Sequence, residues 1–201
     1  MDKNHQLKEE DLEFVRSFFT DFGMLTEKDI RDFISLASKK YLEKSEKFVA
    51  QDQVSKEIGF VLSGILRSFH SDKNGNETTF CFSFPNSLVT SYSSYITGNG
   101  AMENIQAITS VELLVVSKEK WMELIKRSAN WIDFLRQMAE FEYVALEKRV
   151  YQFQRDSASE RYKDLVSRYP EYLKKIPLHY LASYLGITQR HLSRIRKNFA
   201  L

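Results

Sequence analysis

The residues best equipped for chemistry in this 201-residue chain lie close together near its end: Thr188, Gln189, Arg190, Ser193, Arg194, Arg196 and Lys197. An arginine can donate two parallel hydrogen bonds to a guanine edge, and a glutamine can pair in the same way with adenine. At 100° per residue, Gln189, Arg190, Ser193, Arg194 and Lys197 share one arc of a helix, and Leu192, Ile195 and Phe199 occupy the opposite one. Ser193 is short enough to permit close approach to a groove, and Arg196 and Lys197 are placed to reach phosphates. His191 suits a phosphate contact or simple exposure to water. Catalytic constellations are missing from the sequence. The four histidines (His5, His70, His179, His191) are scattered, Cys81 is the single cysteine, and no metal-ligand spacing occurs. Neither an enzyme nor a cofactor protein is expected.

The reading face needs a second helix to hold it. Leu178, Leu181, Ala182 and Leu185 fall on one side of such a helix, with Ala182 small enough for close helix packing. Gly186 suits the left-handed residue that ends a helix, and Thr188 suits the cap of the next. Any compact helix pair has an apolar inside and a polar outside. The small residue, the glycine turn, the capping threonine and an outer face free of acids together point to a helix-turn-helix, roughly His179 to Phe199.

Charge supports this reading. The whole chain carries a formal charge of +2. From Glu147 onward twelve Lys/Arg face five Asp/Glu, a balance of +7, which leaves −5 for the rest. Residues 172–201 contain no carboxylate side chain at all. Such asymmetry is what a polyanion partner requires of one end of a protein.

Upstream the pattern divides. Glu10 to Phe19 reads as a short helix, and Thr26-Glu27-Lys28-Asp29 as a capping box opening another through Ile30, Phe33, Ile34 and Ala37. From Tyr41 to Ser117 the period becomes two. Ile58, Phe60 and Leu62 alternate, as do Ile65, Arg67 and Phe69, then Thr78, Phe80, Phe82 and Phe84; Ser63-Gly64 and Asp72 to Asn76 supply turns. Val111, Leu113 and Val115 resume the alternation. Short strands with tight turns predict a small barrel or jelly roll. Ser117 is placed to cap a helix carrying Trp121, Leu124 and Ile125. Trp131 to Arg155 then runs without Gly or Pro. Its apolar stripe (Ile132, Leu135, Met138, Ala139, Ala145, Leu146, Val150, Phe153), interrupted by Glu142 and Arg149, packs on its own barrel or against a twin. The expected fold class is α+β, with a roll and flanking helices over 1–130, a long helix over 131–155 and a helix-turn-helix domain over 156–201. A polar N-terminus, the lone cysteine and the lack of an eighteen-residue apolar run predict a cytoplasmic protein without a membrane span.

Leu181-Ala182-Ser183-Tyr184-Leu185-Gly186-Ile187-Thr188, followed by Leu192-Ser193-Arg194-Ile195-Arg196-Lys197, resembles the recognition unit of the Crp/Fnr family of transcription regulators. Phe60 to Arg67 resembles that family's strand-turn-strand signature and Gly75-Asn76-Glu77 its hairpin; the variants found in Bacteroidetes are the best match. The resemblance implies a cyclic-nucleotide-binding-type roll, a dimerisation helix from Trp131 and a winged-helix-like head. It also implies double-stranded DNA, a second copy of the chain and RNA polymerase as partners. Nucleotide-binding members carry a Gly-Glu pair and a later Arg in their phosphate cassette. Here Val89-Thr90 and the stretch Ala101-Met102-Glu103 stand at those places. Glu103 repels a phosphate, so cyclic AMP is not the expected ligand. The candidates for holding some other effector are Arg67, Thr90, Ser91, Tyr92 and Glu103. The N-terminal cysteines of the oxygen-sensing members are also missing, which excludes an iron–sulfur cluster by ligand count.

Two other functions compete with this reading. A metabolite-sensing or scaffold protein with a degenerate roll would use its C-terminal helices against protein, and the acid-free 172–201 segment speaks against it. A cupin-type enzyme needs clustered histidine and carboxylate ligands that this chain lacks.

Overall fold

The computed structural model describes residues 7–198. Two helices come first, α1 (Glu9–Thr20) and α2 (Glu27–Leu36). The predicted capping box opens α2: Thr26 Oγ1 accepts from the Asp29 amide, and the Asp29 carboxylate accepts from the Thr26 amide.

Eight strands follow: β1 (Ser38–Leu42), β2 (Lys47–Val49), β3 (Glu57–Ser63), β4 (Leu66–Ser71), β5 (Glu77–Ser83), β6 (Leu88–Val89), β7 (Asn104–Ala107) and β8 (Val111–Ser117). They form two antiparallel four-stranded sheets, in the orders β1-β8-β3-β6 and β2-β7-β4-β5. This is the expected roll. Gly64 closes the β3–β4 turn at φ +89°, and a Cβ there would stand 2.3 Å from the Ser110 carbonyl oxygen, so only glycine fits.

The polar stretch after Pro85 contains β6 and a short helix, α3 (Tyr92–Thr97). Both are brief, two and six residues, too short for periodicity to show. The Thr78/Phe80/Phe82/Phe84 alternation also breaks. The β4–β5 register shifts at Phe80, so Thr79 turns inward and Phe80 lies exposed while Phe82 and Phe84 stay buried. One extra residue in a strand reverses its faces beyond that point.

Three cores hold the molecule. Leu42, Val61, Leu66, Ile105, Leu113 and Val115 help to fill the roll. The outer face of the first sheet offers Ile58, Phe60, Leu62, Leu114 and Val116 to α1, α2 and α4 (Lys118–Arg127). That sheet is therefore covered on both sides, and all of Ile58 to Leu62 is buried rather than every second residue. The long helix α5 (Asn130–Arg155) is anchored there by its first turns: Trp131 and Phe134 pack edge-on against Phe19. Full burial of each such aromatic stabilises by about 1.5–3 kcal/mol.

The third core joins the second sheet to the C-terminal head, which consists of α6 (Ala158–Arg168), α7 (Pro170–Leu173), α8 (Leu178–Tyr184) and α9 (Gln189–Asn198). The head is helical, and no strand follows β8 among the described residues. Ile65, Phe82, Phe84 and Ile108 of the roll pack with Tyr162, Leu165, Leu181, Leu185, Leu192 and Ile195 of the head. Phe84 stacks on Tyr169 and Tyr172, with ring centroids 4.3 and 4.9 Å away.

Candidate nucleic-acid interface

Helices α8 and α9 form the predicted pair. Gly186, at φ +68°, ends α8: its amide bonds the Ser183 carbonyl and the Ile187 amide bonds that of Ala182, both at 3.0 Å. This double closure is the Schellman arrangement, and it needs the left-handed residue that glycine supplies. Thr188 then caps α9, its Oγ1 accepting from the His191 amide at 3.2 Å. Leu181, Ala182 and Leu185 meet Leu192 and Ile195 in the buried seam. Leu178 is half-buried at its margin, and Phe199 lies outside the described residues.

On the outside the structure gathers the candidate reading set. Thr188, Gln189, Arg190, Ser193, Arg194 and Lys197 are exposed together, and Arg196 is half-buried beside them. Among the described residues no carboxylate pairs with any of these four cations. The arc is thus a field of free donors about one helix wide, the size that a major groove accepts.

Several residues that hold this arc escaped the sequence reading. Arg149 of α5 donates to the Tyr184 carbonyl at 3.0 Å, and Arg161 of α6 donates to the Leu185 carbonyl at 2.9 Å. Both carbonyls belong to the end of α8, where backbone acceptors lack helical partners and the dipole favours cations. Arg149 also lies over the Tyr184 and Phe153 rings. The Ser183 hydroxyl meets strand β5, accepting from the Thr79 amide at 2.9 Å and donating to the Glu77 carbonyl at 3.3 Å. In sequence Arg149 appeared only as a break in the apolar stripe. Nothing about Ser183 alone marks it.

Comparison with known proteins supplies the fold. Residues 39–128 match the cyclic nucleotide-binding domain family. FixK2 from Bradyrhizobium japonicum superposes with a TM-score of 0.71 at 17% identity, over 82% of this chain and 84% of that one. A protein from Eubacterium rectale described as a transcriptional regulator of the Crp/Fnr family gives 0.67 at 16%, over 92% and 88%. Thermus thermophilus catabolite activator protein gives 0.55 at 20%, over 88% and 84%. The fold is that of the Crp/Fnr regulators. No curated protein matches the chain by sequence.

A cyclic nucleotide-binding fold raises the question of a phosphate. No Arg or Lys stands anywhere from Tyr92 to Glu103, the segment that holds α3 and leads into β7. Glu103, half-buried, would repel an anion there. Arg67 is 2% exposed and already paired with Glu77 and Gln106 of the strands on either side of its own. The residues present do not fit a cyclic phosphate.

Nor does the structure bring the five effector candidates into one set. Thr90 is spent on the Glu57 carbonyl and the Ser55 hydroxyl, at 2.9 and 3.0 Å. Ser91 is fully buried, its hydroxyl without a partner among the described residues, and Tyr92 is exposed. Among the described residues, no hydrogen bond or ion pair joins Arg67 or Glu103 to Thr90, Ser91 or Tyr92. An open groove of about 380 Å³ runs past Phe48, Gln53, Val54, Ser55, Glu57 and Glu119, and meets Thr90 through Ser55.

Proposed function

We propose that this chain is a Crp/Fnr-type transcription regulator that binds double-stranded DNA as a homodimer, with α9 as the recognition helix. One observation carries the reading: the acid-free arc of Gln189, Arg190, Ser193, Arg194 and Lys197 stays exposed on a helix whose other side is fully packed.

Dimerisation follows from α5. Past Ala139, every residue of the helix from Phe141 to Lys148 is exposed. Tyr143 and Leu146 are 66% and 62% exposed, and Val150 and Phe153 continue the same face at alternating spacings of three and four. That spacing is the seam of a two-helix coil, and an uncovered stripe of this kind marks an interface. The seam steps around Glu142, and Arg149 turns toward the head. Two copies joined there present two recognition helices to one side of a duplex, about 34 Å apart, so the operator is an inverted repeat. Such a protein works in the cytoplasm, beside the chromosome and RNA polymerase. An effector, if the roll takes one, is not a cyclic nucleotide.

Selection from random duplexes tests the reading. The expected result is one enriched inverted repeat whose binding weakens steeply with salt. Recovery of no enriched sequence would sink it and leave a protein-docking role for the head.

A further inference from the structure

The contact between roll and head contains a group that apolar packing alone does not call for. Arg67, on β4, is buried beneath α8 with its guanidinium between two rings, 3.8 Å from the centroid of Phe69 and 3.6 Å from that of Tyr180. In the plane of the group, Nη2 pairs with the Glu77 carboxylate and donates to Gln106 Oε1 at 3.0 Å. Tyr180 belongs to α8, and every other partner of this guanidinium belongs to the roll. Three residues further along α8, Ser183 takes the place of a neighbouring strand at the edge of β5.

Removing a charged guanidinium from water is costly, and its return is often specificity rather than stability. The distinction matters for this interface. The Phe82, Phe84, Tyr169, Tyr172 and Tyr184 rings attract one another without strong direction, so that by themselves they would let the head slide or rock. A guanidinium held between two ring faces, together with a hydroxyl spanning two backbone groups of one strand, fixes both the rotation and the register of α8. Helix α9 follows α8 through the closed Gly186 turn and the shared Ala182–Leu192 seam. Whatever sets α8 therefore sets the recognition arc.

We infer that Arg67, Tyr180 and Ser183 are positioning residues for DNA recognition: they fix the angle of the recognition helix to the roll, and hence the spacing between half-sites that the dimer accepts, without touching DNA. The inference rests on the DNA-binding reading of α9.

The test uses the full-length protein and the duplex enriched by the wild type, with variants of that duplex whose half-sites are moved one or two base pairs closer or further apart. The wild type should prefer one spacing, and Tyr180→Phe, which keeps the ring, should behave as the wild type. Tyr180→Leu and Arg67→Met should lose roughly tenfold in affinity at the native spacing, as expected when the competent orientation falls to about a tenth of the population. They should also discriminate less between spacings. Amide exchange at Thr79 should speed up in both, and that of Leu113, deep in the roll, should stay as in the wild type. Because Tyr180 is only half-buried, its leucine variant folds even where Arg67→Met does not. Affinities within about twofold of wild type with the spacing preference intact in Tyr180→Leu would overturn the inference. Failure of the wild type to enrich any duplex overturns the DNA reading itself, and is told apart because it needs no variant.

Discussion

At the scale of the residue, the recognition arc separates two kinds of contact. Arg194 stands exposed without a carboxylate partner, six residues beyond the cap of α9, on the face proposed to meet base edges. Replacing it with alanine should cost about 1–3 kcal/mol of binding and relax preference at one base pair. Lys197, one turn later, is the proposed phosphate contact; Lys197→Ala should weaken all duplexes alike and lower the salt slope by about 1. Titrations of a panel of single-base operator variants at several salt concentrations distinguish the two, and equal behaviour of the substitutions would refute the assignment. These residue types and their spacing were legible in the sequence, because a helix's period converts directly into faces. Arg67 was legible as an odd cation in an alternating strand and as a candidate for holding an effector, not as a tie to the head. Its partners come from β5, β7 and α8, up to 113 positions away, and no local pattern contains them.

At the scale of the element, the start of α5 is tied to the start of α2. Asp29 is buried, which pushes its carboxyl up, yet hydrogen bonds from Asn130, from the Thr26 amide and from the Thr26 hydroxyl outweigh this and hold it at about 2. With the folded value below the ordinary 3.8, the carboxylate stabilises the fold above pH 4, and that contribution fades as pH falls from about 4 toward 2. A shift of this size is worth about 2 kcal/mol. Urea unfolding at pH 6 and pH 3 should show the loss, and Asp29→Asn should be less stable at pH 6 but flatter across the range; an unchanged slope would refute the role. The capping box itself could be read from Thr26 and Asp29 in the sequence. Its link to Asn130, 101 positions on, could not. The same limit explains α3 and β6, where the elements are shorter than the periods that would announce them. It explains Phe80 too, since a bulge is a property of two strands and not of one.

At the scale of the whole molecule, the long helix was legible as an amphipathic run, and its division of labour was not. Its first turns belong to the aromatic core, while its middle, from Phe141 to Lys148, is exposed. Leu146→Glu with Val150→Glu should therefore yield a folded monomer. Sedimentation would show half the mass, and affinity for the full inverted repeat should fall to that for a half-site. A dimer that survives both changes would place the interface elsewhere. Saturating cyclic AMP should leave the melting temperature of the wild type unmoved, because any ligand bound to the native state alone raises it by mass action. A rise would overturn the reading of Glu103 as a barrier to phosphate.

The lodging of α8 along β5 has a consequence for the solubility of the roll. Strand β5 is the last of its sheet, and a bare strand edge recruits other strands. The hydroxyl of Ser183 and the aromatic cover of the head keep that border occupied in the intact protein. A protease cut in the turn at Asp156–Ser157 would strip it, leaving a roll with an adhesive margin. Light scattering after limited digestion should then register clumping that full-length protein at the same concentration does not show, making the head a guardian of its neighbour.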